Sequence, residues 1–144
     1  MKILPVPEEQ LSELLQLYNE YDRPNFPTPP DGFTILKQIR SQNGEVFVAI
    51  DEAGVLCGTY SIIICANLNH GGEPFAVIEN VIVTRLRRRT GLGRMLMAHA
   101  RENAIKHGCY KLLLQSGAYQ TGNHQFYESC GFANEKCGFQ IRLN

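Results

Sequence analysis

Arg88-Arg89-Thr90-Gly91-Leu92-Gly93 lies where a strand-like segment, Ile78-Glu79-Asn80-Val81-Ile82-Val83, hands over to a helix-like one, residues 94–107. Arginines beside two glycines at a helix start can hold an anion. Glycine lets the backbone come close to a ligand. The first amides of the helix point at that ligand without partners of their own, and the helix dipole favours negative charge there. Five of the fourteen Lys and Arg fall within residues 85–94, so a phosphate-bearing ligand is the chemistry to expect. A tight turn with solvated arginines is the plain alternative. The stretch lacks the third glycine of the dinucleotide fingerprint and the lysine of a P-loop.

Glu79 and Tyr127 carry the proton chemistry. Counting by twos, Phe75, Val77, Glu79, Val81 and Val83 share one strand face. Desolvation among four apolar side chains makes a carboxylate bind a proton more tightly, towards neutrality, which suits a general base. The competing reading is a structural carboxylate satisfied by an arginine or by backbone amides. Tyr127 belongs to Asn123-His124-Gln125-Phe126-Tyr127-Glu128-Ser129-Cys130-Gly131-Phe132. With Phe126 and Cys130 on the core, Tyr127 lies about 100° round the helix and reaches the rim of the sheet. A phenol there can protonate a leaving group, although a tyrosine on a helix is more commonly packing. Histidines 70, 99, 107 and 124 have no metal-ligand spacing with one another or with cysteine, so no metal is expected. His99 reads as structural.

The elements that must position these groups follow from periodicity and punctuation. Residues 2–5 form a short edge strand. Pro7-Glu8-Glu9 opens a helix to about Tyr21, with Leu11, Leu14, Leu15, Leu17 and Tyr18 on one face. Residues 23–30 carry four prolines and must be irregular. Asp31 caps a second helix ending near Ser41. Strands at 45–50 and 55–66 form a hairpin, and 75–83 is a third long strand. A long helix follows, with Leu92, Leu96, Ala100 and Ala104 at every fourth residue, Met97 and Ile105 alongside, and Gly108 at its end. Residues 110–114 are a buried strand, and Thr121 caps a short helix running to Cys130. Phe139, Ile141 and Leu143 alternate with Gln140 and Arg142 as a last half-buried strand. Three strands in hairpin-like succession before the glycine turn exclude a simple doubly wound sheet. A mixed sheet with helices on both faces fits.

The 144 residues suit one domain with a real core, and the formal net charge of zero disfavours wholesale binding to nucleic acid or anionic membrane. Five cysteines without a Cys-x-x-Cys pair, mostly in apolar runs, read as buried free thiols of a reducing compartment. Residues 1–7 have no leader pattern, and the apolar run at 55–66 is too short to cross a bilayer. A soluble cytoplasmic protein is expected.

Together these residues resemble the GCN5-related N-acetyltransferases (GNAT). Arg88-Arg89-Thr90-Gly91-Leu92-Gly93 is similar to that family's acetyl-CoA pyrophosphate motif, and Phe126-Tyr127-Glu128-Ser129-Cys130-Gly131-Phe132 to its late signature. The last third is most similar to the glucosamine-6-phosphate N-acetyltransferases, on residues 78–83, Gly108-Cys109-Tyr110-Lys111, Asn123, the late signature and Gln140-Ile141-Arg142. The resemblance implies an α+β three-layer sandwich with a mixed, mostly antiparallel sheet of about six or seven strands. It implies acetyl-CoA as co-substrate, a small-molecule amine as acceptor and a possible homodimer. It implies that the backbone of Ile82 and Val83 pairs with the pantetheine arm. Arg88, Arg89 and Thr90 with Gly91, Leu92, Gly93 and Arg94 then hold the pyrophosphate, and Asn123 touches the CoA arm. Tyr127 protonates the departing thiolate and Glu79 takes the amine proton, directly or through water. The competing readings are an acetyltransferase acting on a protein N-terminus or lysine, a CoA-binding sensor without turnover, and a nucleic-acid-binding module.

Overall fold

The computed structural model describes residues 1–21 and 29–144. Residues 23–28 of the proline-rich stretch 23–30 expected to be irregular lie outside them. Five strands form one sheet in the order β1 (Lys2–Pro5), β2 (Gly44–Ile50), β3 (Leu56–Cys65), β4 (Phe75–Val83) and β5 (Leu112–Leu114). The first four are antiparallel neighbours, and β5 runs parallel to β4. The described helices are α1 (Leu11–Tyr21), α2 (Gly32–Ser41), α3 (Leu92–Lys106) and α4 (Thr121–Ser129).

The sheet is buried on both sides because β2 is apolar at every step from Val46 to Ile50. Its Phe47 and Ala49 enter one core, with Tyr60, Ile62, Ile78, Leu96, Met97 and Ala100. The alternate residues Val46 and Val48 enter another, with Val6, Leu14, Leu17, Leu36 and Ile82. Period-two alternation puts these sets on opposite faces, so α3 covers one face and α1 with α2 the other. Phe126, Tyr127, Cys130 and Phe132 join the α3 core, which places α4 on that side. Leu96 is fully buried, and that burial is worth roughly 1.5–3 kcal/mol.

Local chemistry explains the helix ends. Asp31 accepts from the Thr34 amide at 3.0 Å and so caps α2. Gly108 follows α3 with φ 71°, and the Cys109 amide returns to the Ala104 carbonyl at 3.1 Å. Thr121 is the first residue of α4 rather than its cap, which is Gln120.

Among the described residues the sheet has five strands, not six or seven. Residues 139–143 do not join it: Phe139, Ile141 and Leu143 are 93%, 85% and 94% exposed. Alternation specifies a strand only where an edge is available, and β5 at the sheet's end is three residues long. Ile105, expected on the apolar face of α3, is also exposed. All five cysteines are free, but only Cys57 is buried. Cys65, Cys109 and Cys130 are half-buried and Cys137 is exposed. Among the described residues, no helix is long and apolar enough to cross a membrane.

Candidate active site

Between β4 and α3 the chain makes a 3-10 turn at Arg85–Arg87, then two left-handed residues, Arg89 at φ 62° and Gly91 at φ 86°. Glycine carries the second without strain. The Thr90 hydroxyl donates to the Arg87 carbonyl. Arg87 donates to Asp51 at 2.7 Å, and the amides of Ala53 and Val55 bond the same carboxylate. Those bonds, the Val55 amide's first, hold Asp51 below the usual carboxylate range. The β2–β3 turn therefore anchors the loop.

Gly91 caps α3 without any side-chain hydrogen bond. The first intrahelical bond runs from the Met95 amide to the Gly91 carbonyl at 3.1 Å. The amides of Gly91, Leu92, Gly93 and Arg94 precede it and point out of the helix end. The arginines are divided in their work. Among the described residues Arg87 alone of the five bonds a carboxylate. Arg88 donates from Nε to the Val83 carbonyl at 3.2 Å, and Arg94 bonds the end of α4. Arg85 and Arg89 are exposed. The Thr90 hydroxyl, Arg88 Nε and both terminal nitrogens of Arg94 are thus bonded within the protein itself.

Beside this helix end, β4 has a bare edge. β5 pairs only with Ala76, Val77 and Ile78. Past that point the described residues supply β4 with no ladder partner on that side. The Thr84 amide is committed to the Cys57 carbonyl on β3 at 2.9 Å. Strand alternation then turns the Val83 amide and carbonyl toward the open edge, and those of Ile82 toward β3. Of the expected pair, Val83 turns its backbone there, its carbonyl already taking the Arg88 Nε bond, while the Ile82 side chain is buried against α1 and α2.

A β-bulge changes the reading of Glu79. Thr59 pairs with Ile82 and Ser61 with Glu79, so one residue of β3 opposes two of β4. Asn80 takes the extra position at φ 54°. Past the bulge the strand's parity flips: Val81 and Val83 pack on the α3 core, as Ala76 and Ile78 do before it. Glu79 does not share the face of Val81 and Val83, and it is exposed. The four-sided apolar setting expected for it does not exist. Its cross-strand neighbour Ser61 lies beside the hydroxyl of Tyr18, whose pKa burial pushes up. Thr59, also beside that hydroxyl, donates to the Phe47 carbonyl at 2.8 Å. This polar strip of Tyr18, Thr59 and Ser61 is not among the groups that motif and spacing single out. Its one sequence signal is Thr59 and Ser61 alternating within an apolar strand.

Tyr127 is half-buried, with its ring 5.1 Å from that of Phe126 and 6.0 Å from that of Phe132. The Phe132 amide bonds the Tyr127 carbonyl at 3.1 Å and closes the chain over the helix end. Asn123 is exposed on the same helix and donates to Gln120 Oε1 at 2.8 Å. The second glycine of the turn is needed for packing: a Cβ on Gly93 would lie 3.0 Å from Phe126 Cζ. The fold thus brings the glycine turn, the bare edge of β4 and α4 with Tyr127 into one neighbourhood. Glu79 stands at the bulge. Among the described residues, no group of three or more His, Cys, Asp or Glu could hold a metal ion.

Comparison with known proteins agrees with this geometry. Residues 11–132 match the model of the acetyltransferase (GNAT) family. A glucosamine 6-phosphate N-acetyltransferase of Trypanosoma brucei brucei is 35% identical over 92 residues, which cover 63% of this chain. The aligned part is 58% of that protein's own length. A protein of Agrobacterium tumefaciens str. C58 designated an acetyltransferase is 36% identical, with a TM-score of 0.91 over 99% of this chain and 100% of its own. An acetyltransferase structure from Trypanosoma brucei is 26% identical, with a TM-score of 0.86 over 99% of both chains.

Proposed function

Because the chain belongs to the GNAT acetyltransferase family, we propose that it moves an acetyl group from acetyl-CoA directly to a primary amine of a small molecule. The observation that carries this reading is the uncapped start of α3 lying next to the unpaired edge of β4. A diphosphate fits the amides of Gly91, Leu92, Gly93 and Arg94, with the guanidinium groups of Arg88 and Arg89 beside it. A pantetheine arm fits the edge at Val83 as an added strand. Asn123 on α4 lies at the side of that arm.

The amine nitrogen attacks the thioester carbonyl carbon. A C–N bond forms, and charge gathers on the carbonyl oxygen, where the Val83 amide can stabilise it. The C–S bond then breaks. Tyr127 gives its proton to the departing thiolate. Glu79, exposed at the bulge, takes the amine proton through water. The thioester is already activated, so positioning supplies most of the rate.

The acceptor reading draws on the trypanosomal relative, whose name gives glucosamine 6-phosphate as its substrate. An amino sugar phosphate is therefore the first acceptor to try. The chain works as one domain over residues 1–144, in the cytoplasm, without a metal, membrane or nucleic-acid partner. A homodimer joined through the exposed apolar residues of 139–143 accounts for their pattern.

The test incubates the protein with acetyl-CoA and a panel of amines that includes glucosamine 6-phosphate, and follows free CoA thiol. Release with at least one amine supports the reading. A rise in melting temperature with acetyl-CoA but no release with any amine favours a sensor. No rise even at millimolar acetyl-CoA removes both.

A further inference from the structure

We propose that Arg94 is a positioning residue: its side chain locks the helix carrying Tyr127 to the first turn of α3, and it is not a phosphate ligand. The inference rests on the reading of Tyr127 as proton donor. Arg94 is the third residue of α3, so its amide faces the cradle while its side chain leads to α4. Nη1 donates to the Ser129 carbonyl at 2.8 Å and Nη2 to the Ser129 hydroxyl at 3.1 Å. That hydroxyl spends its own proton on the Phe126 carbonyl at 2.6 Å, so its lone pairs are what Arg94 meets. Ser129 is the last residue of α4, where carbonyls lack helical partners and a cation is favoured. One residue earlier, Gly93 meets the Phe126 ring so closely that a Cβ would sit 3.0 Å from it.

Two successive residues of the cradle thus fix the end of α4, one by contact and one by two hydrogen bonds. Phe126, which both arrangements touch, adjoins Tyr127 in sequence and in ring contact. A shift of the first turn of α3 is passed to Tyr127 through these contacts. This role divides the arginines: the Arg89 side chain and the terminal nitrogens of Arg88, whose Nε is held by Val83, remain for an anion, and the Arg94 side chain does not.

The experiment uses Arg94→Met, which keeps the apolar stem, and Arg94→Lys, each alone and combined with Tyr127→Phe. It reads kcat at saturating acetyl-CoA, the Kd of CoA, and melting temperature. Arg94→Met is expected to lower kcat by about tenfold or more, since a small misplacement of a reacting group is that costly. The Kd of CoA is expected to stay within about twofold, as removal of a group acting only in the transition state predicts. Arg94→Lys should recover part of the loss. In the Tyr127→Phe background Arg94→Met should add nothing to the loss of kcat. A weakened CoA Kd with kcat preserved would make Arg94 a phosphate ligand and overturn the proposal. So would an equal loss of kcat in both backgrounds, or a lower melting temperature with unchanged kcat. Full activity of Tyr127→Phe alone would remove the proton donor itself, a different failure. Should Arg94→Met not fold, Ser129→Ala removes one of the two acceptors, and the same non-additivity with Tyr127→Phe is required of it.

Discussion

The Tyr60 hydroxyl lies 2.7 Å from His99 Nδ1, joining β3 to α3 inside the sheet's main core. Phe47 closes the cluster, its ring 5.2 Å from Tyr60 and 4.9 Å from His99. Burial pushes the Tyr60 pKa well up, so the phenol keeps its proton. Burial also lowers the His99 pKa below the ordinary 6.5, so the ring stays neutral and bonds the phenol through Nδ1, its tautomer setting which group donates.

A pH dependence of stability follows. The unfolded chain protonates this histidine near 6.5, whereas the folded chain resists until lower pH. Stability from the cluster is therefore complete above 6.5 and is lost as pH falls from there toward the folded value. Urea midpoints measured across this range should decline in the natural chain and decline less in His99→Gln. At pH 8, His99→Leu strands the buried Tyr60 hydroxyl and should lower stability by about 1–3 kcal/mol. Parallel midpoint curves for the natural chain and His99→Gln would refute the assignment.

Tyr127→Phe should reduce kcat by roughly a hundredfold while the Kd of acetyl-CoA barely moves, which is the scale of a general acid. Steady-state kinetics with calorimetric binding measures both. Equal loss in the two would identify the ring as packing alone.

Glu79→Gln should flatten the acidic limb of the pH profile of kcat/KM with little change in melting temperature, because the side chain is exposed. An unaltered limb would move the base elsewhere, with the strip around Tyr18 and Ser61 the next place to look.

Gly93→Val should destabilise by about 1–3 kcal/mol, the usual effect of overfilling a close contact, and should lower kcat with it. Thermal melts and kinetics on Gly93→Ala and Gly93→Val give the size dependence. A Val variant as stable as the natural chain would mean that Phe126 moves aside without resistance.

Ile141→Asp should turn a dimer into a monomer in sedimentation equilibrium, since a charge replaces an apolar residue that is 85% exposed in the single chain. A natural chain that sediments as a monomer at every concentration would exclude this role for residues 139–143.

Elements with strong local signals are legible in the amino-acid sequence. β4 has the bounds its sequence suggests, and α3 buries Leu92, Leu96, Ala100 and Ala104 at helical spacing. The glycine turn is legible because a left-handed backbone calls for glycine and the strand and helix around it are strongly periodic. The setting of Glu79 is not, because alternation counts residues and a bulge inserts one. Asn80 is the only local hint, asparagine being tolerant of positive φ. The bond from Arg94 to Ser129 spans 35 positions, and no local pattern encodes such a distance. The tail misleads for the opposite reason: its alternation is real, but alternation does not say which edge a strand joins, or whose.

The bulge at Asn80 makes β4 two half-strands out of phase, one steering its even residues and the other its odd residues toward the same helix. Losing the Asn80 codon would give back a plain strand with every later side chain still on its present face. Losing any other codon of the stretch would turn the later side chains inside out unless the bulge gave up its extra residue. Asn80 is thus this strand's one reserve against a change in count.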